Sequence, residues 1–85
     1  MDSEATVAMM KRRFAGSELA IERACVASES FRGLCRDYLA CAAALARWQE
    51  SGSEEARLRV EEYSELLDEL AKEIQAHLST PNAAA

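Results

Sequence analysis

Turn-forming residues are scarce in this chain: three glycines and one proline among 85 residues. A many-stranded β fold needs turn residues at short intervals, so that scarcity argues against one. Long apolar runs are missing too. None approaches the roughly 20 residues that span a bilayer, and no apolar stretch follows Lys11, Arg12 and Arg13 as a secretory leader requires. The expectation is a chain neither secreted nor membrane-inserted.

Paired cysteines are lacking. Cys25, Cys35 and Cys41 leave an odd thiol and show no C-x-x-C spacing, which argues against a disulfide framework or a zinc knuckle and points to a reducing, cytoplasmic setting. On a continuous helix, Cys35 and Cys41 lie about 120° apart and Cys25 falls elsewhere, so they are not expected to converge as metal ligands must. Cys41 fits a core stripe, where cysteine acts as a small hydrophobe. Histidine occurs once, at His77. A triad or dyad would have to share it, and a helical di-metal site wants Glu-x-x-His twice, whereas here Glu73 stands at i−4 and Ile74 at i−3. With no Gly-rich phosphate loop and no nucleophile elbow either, we expect no enzyme, catalytic residue, cofactor or metal site.

Positive charge is also in short supply. The net charge of −5 argues against nucleic acid, whose binding is driven by Lys and Arg displacing counterions from phosphates. The imbalance is local: residues 51–85 carry three basic and eight acidic groups, while residues 1–16 carry three and two, and 17–50 four and five. The acidic series Glu54, Glu55, Glu61, Glu62, Glu65, Asp68, Glu69 and Glu73 reads first as a solvated helix face. Its like-charged i, i+4 neighbours, Glu65 with Glu69 and Glu69 with Glu73, leave room for a basic protein partner.

What is present is helical. A composition 49% apolar and 29% charged is too hydrophobic for disorder and leaves a single all-α domain over 1–85. Ser51-Gly52-Ser53 is the strongest turn signal, with Ser51 and Glu54 at capping-box spacing and Ser53 a second N-cap candidate. Upstream, Phe31, Leu34, Tyr38, Cys41, Leu45 and Trp48 recur at spacings of 3, 4, 3, 4 and 3. Downstream, Val60, Tyr63, Leu67, Leu70, Ile74 and His77 repeat the period. Folding the chain about residue 52 pairs Trp48 with Ala56, Leu45 with Val60, Cys41 with Tyr63, Tyr38 with Leu67, Leu34 with Leu70 and Phe31 with Ile74. Two stripes with one centre of folding make an antiparallel helical hairpin. The expected elements are a first helical region over 17–50, a turn at 51–53, a second long helix over 54–79 and a frayed tail at 80–85.

The N-terminal part is less patterned. Val7, Met10 and Phe14 share a face, so residues 1–16 read as a short helix or a flexible docking arm. Contact of Lys11, Arg12 and Arg13 with an anionic membrane is the lesser reading. Gly16-Ser17 before Glu18 suggests a break, and Ser28 suggests another as the N-cap ahead of Phe31.

Excess apolar surface suggests self-association. Cys35, Leu39, Ala42 and Ala46 form a second stripe on the first long helix, echoed by Leu66, Ala71 and Leu78 on the other. Residues 18–27 look too short to cover it, so a homodimer forming a four-helix bundle is expected, the rival being a monomer closed by the N-terminal segment. The functional expectation is a non-enzymatic protein-interaction module, possible partners docking on the acidic second helix. The alternative is a thiol-based redox or metal-responsive regulatory module acting through Cys25, Cys35 or Cys41.

The strings Ser30-Phe31-Arg32-Gly33-Leu34-Cys35-Arg36-Asp37-Tyr38, Ala44-Leu45-Ala46-Arg47-Trp48 and Arg59-Val60-Glu61-Glu62-Tyr63-Ser64-Glu65-Leu66-Leu67 resemble small uncharacterised bacterial helical-hairpin proteins over about residues 28–78. The resemblance implies a hairpin fold and carries no catalytic residues.

Overall fold

A computed structural model describes residues 2–79 as four helices: α1 Asp2–Arg13, α2 Glu18–Ala27, α3 Glu29–Ser51 and α4 Glu54–Ser79. The tail expected to fray, 80–85, lies outside the described residues. Among these residues the fold is all-α, and α3 and α4 pack together most closely, as an antiparallel hairpin.

Each junction follows from its local residues. Gly16 sits in the left-handed region at φ 97°, where glycine avoids a Cβ penalty, and closes the chain after α1. Ser17 precedes α2 but makes no side-chain cap. Instead the Gly16 N–H donates to Glu18 Oε1 at 3.0 Å. That bond and the Glu18 backbone N–H, the larger effect, hold the Glu18 carboxyl below its ordinary range.

The expected first helical region over 17–50 is two helices. A single extended residue, Ser28 at φ −137° and ψ 117°, separates them, serving as C-cap of α2 and N-cap of α3. Its Oγ accepts from the Phe31 N–H at 3.0 Å, supplying a partner for one of the helix's unpaired first-turn donors.

The hairpin turn is shorter than the expected 51–53. Helix α3 runs through Ser51, Gly52 takes φ 73° as the left-handed cap, and Ser53 caps α4 by accepting from the Ala56 N–H at 3.1 Å. Ser51 and Glu54 form no capping box; the Ser51 hydroxyl bonds to Ser53 Oγ at 3.2 Å instead. Gly52 in the left-handed conformation ends α3 one residue later than composition suggests, which leaves Ser53 at the helix start.

Helix lengths decide where the core lies. At 1.5 Å per residue, α3 is about 35 Å long, while α1 and α2 are only about 18 and 15 Å. The short helices can therefore clothe only one end of the hairpin. Met10, Ile21, Cys25, Phe31, Cys35, Tyr38 and Ile74 form the buried core, with Val7, Phe14, Leu34, Leu39, Leu67, Leu70, Ala71 and Leu78 packed around it. All of the α3 members precede Ala40 and all of the α4 members follow Leu66, so this four-helix base lies at the end away from the turn. Beyond it, α3 and α4 continue as a two-helix arm, consistent with overall dimensions of 49 × 25 × 22 Å.

One expectation is overturned in this base. Residues 18–27, expected to be too short to cover the second stripe, place Ile21 and Cys25 in the core, and α1 adds Met10; together they bury Cys35 and flank Leu39. The weak patterning of α2 hid this role because only two of its ten residues are buried. Leu66 also parts company with Ala71 and Leu78. Five residues turn a helix through about 500°, so Leu66 is exposed while Ala71 and Leu78 face the core.

Candidate functional site

The bend at Ser28 brings together two thiols that a continuous helix would keep apart. Cys25 near the end of α2 and Cys35 in the second turn of α3 belong to one buried core cluster, close enough for each thiol to bear on the other's titration. The two approach because α2 folds back on α3 instead of extending it. Cys35 is 0% exposed and Cys25 4%. Burial pushes both thiols up, Cys35 to about 12, since a thiolate there would lose its hydration; the neighbouring Arg32 charge opposes the rise at Cys25.

Cys25 is approached from one side. It forms part of the wall of an open groove of about 520 Å³ between α1, α2 and the start of α3, together with Val7, Ala8, Lys11, Val26 and Arg32. The Arg32 guanidinium donates to the Cys25 carbonyl oxygen, and Lys11 pairs with Glu22 across the rim. The exposed Val26 side chain forms the apolar lip.

Cys41 stands apart from this pair. It lies further along α3, where its thiol donates to the Tyr63 carbonyl oxygen at 3.5 Å, and burial raises its pKa as well. All three cysteines are free. Two thiols supply half of a tetrahedral zinc set, and among the described residues no group of three or more His, Cys, Asp or Glu converges. His77 is exposed, its ring tilted against that of Phe31 with centroids 5.3 Å apart.

The basic run of α1 is docked. The Arg13 guanidinium donates to the Tyr38 hydroxyl at 3.2 Å and lies 5.5 Å from the ring centroid, while the Phe14 ring packs 5.4 Å from the same ring. With Lys11 held by Glu22, two of the three cations serve contacts within the chain. Of the two readings of residues 1–16, the structure has a short helix over Asp2–Arg13. Sequence reasoning missed this clasp, because Arg13 and Tyr38 are 25 residues apart and neither carries a local signal.

The arm shows the opposite character. Leu45, Trp48, Val60 and Tyr63 are half-buried with only one helix against each of them, and Leu58 and Leu66 are 63% and 46% exposed. The acidic side chains of α4 all face solvent; Glu55 and Glu62 pair with Arg59, at 3.6 and 2.9 Å. No helix among the described residues is long and apolar enough to cross a membrane. No protein family, curated protein or solved structure matches the chain.

Proposed function

We propose that the chain is a non-enzymatic helical interaction module that works as a homodimer, with the two-helix arm as its mating surface. The observation that carries this reading is the incomplete burial of that arm: Leu45, Trp48, Val60 and Tyr63 lack a third helix, and Leu58 and Leu66 project into water. Each leucine buried on association is worth about 1.5–3 kcal/mol.

Charge favours a second copy in one arrangement. Helix α4 carries eight acidic and three basic groups, whereas α3 carries three of each. Placing α3 of one copy on α4 of the other avoids contact between two acidic helices, and a two-fold axis makes that contact twice. The arms then form a four-helix bundle, and the alanines of α3 at 40, 42, 43, 44 and 46 permit close approach. The outer acidic face stays open for a basic protein surface. Three reduced thiols suit the cytoplasm.

Sedimentation equilibrium tests the proposal. The expected result is a dimer at micromolar concentration that Leu58→Glu with Leu66→Glu converts to a folded monomer, since both residues are exposed within one chain. A wild-type monomer across that range overturns it.

A further inference from the structure

Among the described residues, Cys25 and Cys35 are two thiols that the fold gathers into one buried cluster, and the arm's proposed role makes no use of them. Three observations bear on what they do. Both lie in one buried core cluster at the seam between α2 and α3, where Arg32, one turn before Cys35, donates to the Cys25 carbonyl oxygen. Cys25 forms part of a groove wall, while Cys35 does not line the groove and is fully buried. Cys41 is engaged elsewhere, with the Tyr63 carbonyl. Among the described residues no group of three or more His, Cys, Asp or Glu gathers at this pair.

We infer that Cys25 and Cys35 form a two-electron redox site, closing an intramolecular disulfide between α2 and α3 when a low-molecular-weight disulfide enters the adjoining groove. With a small disulfide as oxidant, the Cys25 thiolate attacks one sulfur, the external S–S bond breaks, and a small thiolate leaves and takes up the proton released by Cys25. Cys35 then attacks Cys25 Sγ in the mixed disulfide and expels the second small thiol. Two electrons and two protons pass from the protein pair to the oxidant, which ends as two thiols.

The groove assigns the order. Cys25 is assigned as the attacking sulfur because its residue lines the groove and has the Arg32 charge beside it to favour the thiolate. Cys35 is the resolving sulfur because it has no other approach. Burial keeps both protonated near neutral pH, so the reaction is slow. The site registers sustained oxidising conditions rather than a brief pulse, and the product pins α2 to α3 across the Ser28 bend.

The test uses the full chain, incubated reduced and folded with bis(2-hydroxyethyl) disulfide, quenched with acid, alkylated and digested with trypsin. Cleavage after Arg23, Arg32, Arg36 and Arg47 places each cysteine in its own peptide: 24–32, 33–36 and 37–47. The expected product has lost two hydrogens and yields 24–32 linked to 33–36, with 37–47 alkylated. Cys35→Ala should stop at a mixed disulfide on Cys25, and Cys41→Ala should leave the linkage unchanged. Circular dichroism confirms that each variant is folded. Links involving 37–47, links between chains, or no link where the urea-unfolded chain oxidises fully would each overturn the assignment.

Discussion

The Cys41 thiol donates to the carbonyl oxygen of Tyr63 at 3.5 Å, tying α3 to α4 at the layer where the hairpin leaves its four-helix base. Residue numbers paired across the hairpin add to a near-constant value, and this contact sits on that line. The Phe31 and His77 rings, 5.3 Å apart, depart from it by about one helical turn. Phe31 and Ile74 belong to the same core, so the ring of His77 is the next layer outward on the same face.

The register predicts a cross-link. In a background with all three native cysteines replaced by alanine, Leu45→Cys with Val60→Cys should form an intramolecular disulfide under mild oxidation, read as faster migration on a non-reducing gel. Leu45→Cys with Glu69→Cys, about 13 Å further along α4, should not. Equal linkage in both pairs would mean that the arm lacks a fixed register.

Capping serines should differ in what they are worth. Ser28→Ala and Ser53→Ala each remove an observed bond to a first-turn N–H and should cost about 1 kcal/mol, within a range of about 0.5–2. Ser17→Ala removes no cap bond and should cost less than about 0.5 kcal/mol. Urea denaturation of the three variants gives the comparison, and an equal loss at Ser17 would show that the α2 terminus is held differently.

Core and arm should respond oppositely to truncation. Phe31 is fully buried, so Phe31→Ala should cost about 3–5 kcal/mol, enough to unfold so small a domain at ambient temperature. Leu58→Ala, on the open arm, should change the stability of the isolated chain by less than about 0.5 kcal/mol. Thermal melts at concentrations below the association range separate the two.

Alkaline pH should destabilise the fold through its thiols. The unfolded chain loses thiol protons near pH 8.5, whereas burial holds the Cys35 proton to about 12. Between those limits the unfolded state binds fewer protons, so stability falls as pH rises; it is complete below about 8.5 and lost on the way to the folded value. Urea midpoints from pH 8 to 10.5 should decline in the wild type and decline less in Cys35→Ala. Identical slopes would place the alkaline sensitivity on other groups.

The hairpin was legible because its signal is periodic: six residues on each long helix repeat at helical spacing about one turn, and tertiary packing only had to agree. The bend at Ser28 was legible from a capping serine before Phe31. Its consequence was not. Whether α2 folds back far enough for Cys25 to meet Cys35 depends on the angle between two helices, which periodicity leaves open. The clasp of Arg13 on Tyr38 was invisible for a related reason, since an exposed basic run reads as solvated until a partner aromatic is placed beside it. Helix length, by contrast, was available from the start: side by side, helices of 12 and 10 residues reach along only about half of a 23-residue stripe.

The single extended residue between α2 and α3 leaves no slack in the chain. Adding or removing one residue at Ser28 would rotate all of α2 by about 100° relative to α3, carrying Ile21 and Cys25 off the core together. The Gly52-Ser53 turn, at the free end of the arm, has no such constraint, because lengthening an exposed loop costs only about 0.6 kcal/mol per doubling. Insertions should therefore be tolerated at one junction and rejected at the other, which makes the hairpin tip the place to graft a peptide or fluorophore without disturbing the fold.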